Sequence, residues 1–415
     1  MTMDAPIPTP LKTRRTPGVA GEVFTTTTTA MDGHKKSGGG RRRRRKGSRS
    51  SRVKARTLLA VVALVLIGML AMMVHINLSI FRQHKTERDG RQHIKDVFSK
   101  AGIKLSEAQL NEFPTWGEIR EEVGDAPIIV GLETCEVFRN SIPPVNRSIG
   151  SLGMFNSGTN LVTKLVKQNC IIPERVDYYG WKPDFDKYHM GPLEAHGMRW
   201  QVPWGKHTAG IYREVHKAEP PEHTIPTESV IPVITVRHPY RWMRSMCSHP
   251  YSAKWPHNQR DSCPHVANDN GDAVPLTIKY AQNRTNNHDS LVHLWNDWYG
   301  QYYRHNDNIN ASLKAISAKY PRLMVRFEDL VFHSFAVTKT ICHCAGGELR
   351  TDQPFDYIQE TAKEGPGHGK DRTGMMDAWI KYSKPPDPFR RDADNDFAKA
   401  QLDEELLDVF HYRLP

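Results

Sequence analysis

Gly150-Ser-Leu-Gly-Met-Phe-Asn-Ser-Gly-Thr-Asn-Leu-Val162 decides how the rest of the chain is read. It has the pattern of a strand, a tight Ser157-Gly158-Thr159 turn and the opening of a helix. That helix carries Leu161, Val162, Leu165 and Val166 on one side, with Thr163, Lys164 and Lys167 elsewhere. A small-residue turn feeding a helix N-terminus presents unpaired backbone N–H groups and the positive end of the helix dipole. Such a loop can cradle phosphate or sulfate. It is not a Walker loop, because Thr159 stands where that motif needs lysine. An ordinary strand–turn–helix connection shares this local pattern, so the loop's chemistry depends on its surroundings.

Working outward, strand-like runs alternate with helix-like ones after residue 126. The strands are expected at Pro127–Leu132, Ser148–Phe155, Val230–Val236 and Leu323–Phe327. The helices are expected at Thr159–Asn169, Tyr240–Cys247, Leu276–Tyr303, Ile309–Lys319 and Asp396–Phe410. This alternation predicts an α/β domain with a parallel sheet, in which ligands bind at the carboxyl ends of the strands. Val230-Ile-Pro-Val-Ile-Thr-Val-Arg237-His-Pro-Tyr-Arg-Trp-Met-Arg-Ser245 supplies a second anion-binding candidate there. Arg237 ends an apolar strand and offers a fixed fork of donors, Pro239 fits a first helical turn, and Ser245 adds a hydroxyl.

The formal charge of +11 is unevenly placed. Residues 1–56 hold 15 Lys and Arg against Asp4, Glu22 and Asp32, a net of +12. The remaining 42 basic and 43 acidic residues leave the rest at −1. The basicity belongs to a tail rich in Pro, Thr, Gly and Arg, which is expected to be disordered. The near-neutral remainder argues against a nucleic-acid footprint. The Arg41–Arg45 run could be a nuclear signal in isolation, but an apolar run follows it. No Lys, Arg, Asp or Glu occurs between Arg56 and Arg82. That length suffices to cross a hydrocarbon core of about 30 Å. The basic flank puts the N-terminus in the cytosol, which predicts a type II single-pass protein. The expected organisation is a tail over 1–56, a signal-anchor helix over 57–81, a charged stem over 82–125 and a lumenal domain over 126–415.

All six cysteines follow the apolar segment, so disulfides are permitted. Cys247 with Cys263 would close a short loop, but spacing does not fix the pairing. Asn146-Arg-Ser, Asn283-Arg-Thr and Asn310-Ala-Ser are glycosylation acceptors compatible with this topology.

Four segments together carry a family resemblance. The Asn156-Ser-Gly-Thr159 loop resembles the 5′-phosphosulfate loop of sulfotransferases, and Val236-Arg-His-Pro-Tyr240 with Ser245 resembles their 3′-phosphate motif. Leu323-Met-Val-Arg-Phe-Glu-Asp-Leu330 is similar to the family's strand and Glu-Asp-Leu segment, and the stretch from Leu402 to Tyr412 to its closing helix. The likeness covers roughly residues 145–415, in the family's order. It implies a P-loop-like central parallel sheet flanked by helices, the co-substrate 3′-phosphoadenosine 5′-phosphosulfate and no metal. It implies Golgi placement and a glycan or secreted-protein acceptor. Ser157, Gly158, Thr159 and Asn160 would surround the 5′-phosphosulfate, and Arg237 and Ser245 would hold the 3′-phosphate. A late Gly-rich loop would bring Lys363 or Lys370 to the nucleotide.

The chain departs from the family pattern at Asn156, a neutral residue where Lys or Arg commonly assists the departing phosphate. Lys164, one turn into the helix, is a possible substitute. Between the two donor loops, Lys206 is expected to stabilise sulfuryl charge and His207 to take the acceptor's proton, with His189 and His196 as weaker alternatives. Trp295, Trp298, Tyr302 and Tyr303 fit core packing better than ligand contact. Two other functions share the topology. A metal-dependent glycosyltransferase would use carboxylates such as Asp184 with Asp186 or Asp394 with Asp396, and an inactive sulfotransferase-like protein would bind the donor without turnover.

Overall fold

The computed structural model describes residues 50–179, 195–218, 224–257, 263–280, 285–304, 320–362 and 374–415. The expected helix over 309–319, both Lys363 and Lys370, His189, the Asp184/Asp186 pair, Asn283 and Asn310 lie outside the described residues. The chain divides into two units, Met1–Val74 and His75–Pro415. Helix α1 spans Ser50–Lys100. Its Val61–Ser79 segment, with a mean hydropathy of 2.4, is long and apolar enough to cross a membrane.

The second unit is built on a five-stranded sheet. Its strands are β1 (Ile129–Val130), β2 (Ser148–Gly153), β4 (Met198–Arg199), β5 (Val230–Val236) and β9 (Leu323–Arg326), in the order β1-β9-β5-β2-β4. The four from β9 to β4 run parallel, as expected. β1 pairs antiparallel with β9, so the sheet is mixed rather than wholly parallel. Every residue of β2 and β5 is buried, which is why both read as unbroken small or apolar runs. Alternate side chains enter opposite cores: Ile231, Val233, Leu323 and Val325 face one, and Ile234, Val236 and Met324 the other.

The first face is covered by α4 (Thr134–Ser141), α5 (Thr159–Asn169) and the Ser334–Cys344 helix, with α6 (Pro173–Tyr179) beyond. The second is covered by α7 (Pro239–Ser248), α8 (Leu291–Tyr303) and the C-terminal helices Asp392–Gln401 and Glu404–Val409. Strands β3 (Cys170–Ile171) and β10 (Glu348–Leu349) form a separate antiparallel pair.

Two helical expectations are corrected. The stretch 276–303 is not one helix: β7 (Leu276–Lys279) and β8 (Thr285–His288) form a small antiparallel sheet with β6 (Ala253–Lys254), and only α8 is helical. Leu276 and Ile278 are buried while Lys279 is exposed, a two-residue alternation that suits a strand. The closing helix is broken at Leu402, and Asp403 caps the second piece by accepting the Leu406 N–H at 3.1 Å.

The expected stem is also part of the folded body. Short α2 (Glu107–Leu110) and α3 (Trp116–Val123) each begin with a capping box. With the end of α1 they pack Ile94, Phe98, Leu110, Phe113 and Ile119 against Val331, Phe332 and Trp379. Phe98 is fully buried, edge-on to Phe113 and Trp379 at 5.3 Å each. From Gly90 onward the chain is therefore core, not spacer.

All six cysteines pair. Cys135–Cys344 and Cys170–Cys342 tie α4 and β3 to the end of the Ser334–Cys344 helix, and Cys247–Cys263 closes the short loop considered above.

Phe98→Ala is expected to destabilise the folded unit by about 3–5 kcal/mol in urea unfolding. The exposed control Val137→Ala is expected to stay within about 0.5 kcal/mol. Replacing both cysteines of a bridge by serine is expected to cost about 3 kcal/mol for Cys247–Cys263 and about 5 kcal/mol for Cys170–Cys342, from loops of 16 and 172 residues. Equal losses for the two would refute the loop-length account.

Candidate anion and transfer site

β2 and β5 are adjacent and parallel, and their register pairs Gly153 with Thr235. The loops that follow them must therefore emerge at the same edge. Ser157 does not face out from that edge. It is fully buried, with its Oγ donating to Met154 O at 2.7 Å and 2.9 Å from Thr235 Oγ1, locking the loop to β5. Gly153 makes room for this, since a Cβ there would lie 2.4 Å from both hydroxyl oxygens. Gly158 takes φ +100°, and a Cβ on it would meet Phe327 at 2.3 Å, so only glycine fits. Gly158 is the N-cap of α5 and provides no side-chain cap, which leaves first-turn N–H groups for an external acceptor.

A cavity of about 610 Å³ opens in front of that turn. Asn156, Gly158, Thr159, Asn160, Lys206, His207, Arg237 and Ser245 all line it, from segments that the sequence alone could only place in order. Lys164 is half-buried on α5 and is not among the residues that line the cavity. His196 lies away from the cavity too; its Nδ1 accepts the Met198 N–H at 2.8 Å in a turn.

Arg237 is 7% exposed. Its Nη1 donates to Asn156 O at 2.7 Å and its Nη2 to Tyr382 Oη at 2.8 Å, while Nε is buried with no hydrogen-bond partner. Such a donor can serve an anion, and the same unmatched state recurs at Arg213 Nε and Arg322 Nε away from this cavity. Arg241, one turn on in α7, donates to the carbonyls of Lys381 and Lys384, and its Nε is also unmatched. Ser245 Oγ donates back to Arg241 O at 3.0 Å. Among the described residues the cavity wall carries Lys206, Arg237, Arg241, Arg244, Lys381 and Lys384 against Glu360 and Asp387. It is an electropositive recess in a near-neutral domain.

Lys206 is 6% exposed; its Nζ donates to Asn160 Oδ1 at 2.6 Å and lies over the Trp200 ring. Burial, and then the nearby Lys167 charge, push its pKa well below the ordinary lysine value. His207 Nδ1 is 2.6 Å from Gly153 O. A carbonyl can only accept, so Nδ1 carries the proton and Nε2 the lone pair. Burial and the Lys206 charge lower the His207 pKa to about 4, which keeps the ring neutral.

The α8 aromatics are core residues whose polar tips hold this site. Trp295 Nε1 donates to Arg237 O at 3.1 Å, Trp298 Nε1 to His207 O at 3.3 Å, and Tyr302 Oη to Thr208 O at 2.8 Å. Asp394, considered above as a metal ligand, is buried and accepts the N–H groups of Val266 and Ala267. Sequence reasoning missed Arg241, Arg244, Tyr382 and Trp200. Arg241 and Ser245 lie at four-residue steps from Arg237, and that spacing could have flagged Arg241. Tyr382 and Trp200 reach the cavity through tertiary packing and had no such signal.

No family model, curated protein or solved structure matches the chain. The functional reading therefore rests on this geometry.

His238 shares the behaviour of His207. Its Nδ1 accepts the Tyr240 N–H, its Nε2 lies 2.9 Å from Arg413 O, and burial lowers its pKa to about 4. Both imidazoles protonate more readily in the unfolded chain, so each removes stability as pH falls below about 6.5 and stops doing so below about 4. Each contributes up to about 1.4 kcal/mol per pH unit in that window. His238→Asn keeps an acceptor for the helix cap. It is expected to give a shallower loss of urea stability between pH 6.5 and 4.5 than wild type, and parallel curves would refute the assignment.

Proposed function

We propose that the chain is a sulfotransferase. In this reading it moves a sulfuryl group from 3′-phosphoadenosine 5′-phosphosulfate to a hydroxyl or amine of a glycan or secreted-protein acceptor, on the lumenal side of the Golgi membrane. The observation that carries the reading is the shared cavity. An uncapped α5 N-terminus and Arg237, with its one unmatched donor Nε, line one recess, beside a buried lysine and a neutral histidine. Two anion-binding elements in one recess suit a nucleotide with phosphate at one end and phosphosulfate at the other. The P-loop-like assignment of the sheet belongs to the same proposal.

The residues divide the work. The first-turn N–H groups of α5, with Thr159 and Asn160, hold the 5′ anion, and Arg237 with Ser245 holds the 3′-phosphate. The co-substrate supplies an activated sulfur–oxygen bond to phosphate. That bond breaks as the acceptor oxygen bonds to sulfur, and adenosine 3′,5′-bisphosphate departs. His207 Nε2 receives the acceptor's proton. Lys206, held by Asn160, provides the positive charge that the family pattern places at Asn156. An arriving anion favours its charged form, which opposes the effect of burial. The apolar Val61–Ser79 segment and the six paired cysteines support an anchored protein in an oxidising compartment.

Adenosine 3′,5′-bisphosphate is expected to raise the melting temperature of the protein, and UDP-sugars with manganese are not. Arg237→Ala is expected to weaken nucleotide binding by about 2–3 kcal/mol, roughly 30- to 150-fold in Kd, with Arg237→Lys between the two. Undiminished affinity in a folded Arg237→Ala protein would overturn the site assignment.

A further inference from the structure

Asn156 does not direct its side chain at an anion. Its backbone sits in the left-handed region at φ +61°, and Nδ2 donates to His249 O at 2.9 Å and Ser245 O at 3.3 Å. The amide thus caps the C-terminal end of α7 and holds His249, which leads into the Pro250–Ala253 turn that carries Tyr251. Tyr251 is itself at φ +52°, a conformation that a bulky aromatic residue seldom adopts, and it is 46% exposed. Its ring stacks on Phe155 with centroids 5.3 Å apart and planes 14° apart. Phe155 in turn lies 4.7 Å from the His207 ring. Trp200 is 39% exposed and covers Lys206. Tyr251 and Trp200 both line the cavity that His207 lines.

The cavity wall therefore has two characters. Arg237 and the α7 arginines engage the 381–388 segment: Arg237 bonds Tyr382, Arg241 bonds the Lys381 and Lys384 carbonyls, and Arg244 bonds Asp387. Around His207 the described wall is aromatic, and the lysine beside it is buried and engaged with Asn160. A pyranose ring has an apolar C–H face and a polar rim. An aromatic plane can take the face and leave a hydroxyl to the base. An acidic peptide would need exposed cations on this wall.

We infer that Tyr251 and Trp200 form the acceptor-binding wall for a neutral pyranoside, and that Asn156 is the positioning residue that holds Tyr251 in place. The inference rests on the sulfuryl-transfer reading for the role of His207. It links the donor loop to the acceptor wall through one side chain. Asn156 thereby orders the acceptor side rather than assisting the leaving group.

The test uses the full chain in detergent, loaded with adenosine 3′,5′-bisphosphate. Saturation-transfer NMR follows N-acetyllactosamine, a heparin-derived tetrasaccharide and an acidic tyrosine-containing peptide. N-acetyllactosamine is expected to bind, with its apolar-face protons most saturated. Tyr251→Ala should weaken it at least tenfold, while Tyr251→Phe should stay within twofold. Asn156→Gly tolerates the backbone conformation and removes the amide, and Asn156→Asp keeps the shape and removes the donors. Both should weaken the saccharide tenfold; nucleotide affinity should stay within twofold in Asn156→Gly, while the added carboxylate of Asn156→Asp beside the anion site lowers it. Preference for the tetrasaccharide or the peptide, no saccharide binding, or unchanged binding in Tyr251→Ala would overturn the wall. Nucleotide affinity lost along with saccharide binding in Asn156→Gly would overturn the strut. Failure of the wild-type protein to bind the nucleotide at all would instead overturn the sulfuryl-transfer reading.

Discussion

The parallel pairing of β2 with β5 is the constraint from which the site follows. Once Gly153 lies beside Thr235, the loop after β2 and the loop after β5 share an edge. The Ser157–Thr235 hydroxyl contact then fixes the first loop, and the Arg237–Asn156 bond joins it to the second. The first contact is buried and the second partly so, in surroundings where a hydrogen bond is strong and an unmatched donor is costly. The unmatched Nε of Arg237 is thus held open by a frame that otherwise satisfies its guanidinium.

That frame needs the segment before the sheet as well as the sheet. Arg326 and Asp329 form a buried bidentate pair with both contacts at 2.7 Å. Arg326 also donates to Val123 O at the end of α3 and to Phe410 O near the C-terminus, and Asp329 accepts the Ile128 N–H at 2.9 Å. Three distant parts of the chain meet at one ion pair. The charged look of residues 82–125 conceals this, because the few apolar residues among them are the buried ones. Ile94, Phe98 and Ile119 share a core cluster with Trp379, and three residues further on Tyr382 reaches Arg237. The end of α1 thus buttresses the cavity wall.

What was legible in the sequence was local. The bounds of α5 and β5 could be read directly, because an unbroken apolar run ends at Arg237-His-Pro and a helical stripe begins at Thr159. The candidate loop, Arg237, Ser245, Lys206 and His207 were likewise visible as motifs, and the fold brings them to one cavity. The misreading of 276–303 came from taking a strand alternation and a helix stripe as one periodic run. Cysteine pairing was not legible, since Cys342 and Cys344 are near neighbours that pair with partners 172 and 209 residues away. Trp200 and Tyr382 were invisible because no local pattern foretells which distant aromatic closes a cavity.

The neutral residue at position 156 has a physical reason. A φ of +61° favours asparagine over long side chains, and the facing α7 terminus offers carbonyls that need donors rather than a charge seeking an anion. A lysine there would have to adopt the disfavoured backbone and forgo the planar amide's two directed donors. Lys206, from the loop after β4, instead donates to Asn160 in the first turn of α5. Burial lowers the effective dielectric around that ammonium, so its field on a nearby anion is stronger than that of an exposed lysine. The same burial makes the charge unfavourable until an anion arrives. On the sulfuryl-transfer reading, a cation at position 206 rather than 156 couples its charge state to occupancy of the cavity, and leaves Asn156 to hold the turn that carries Tyr251.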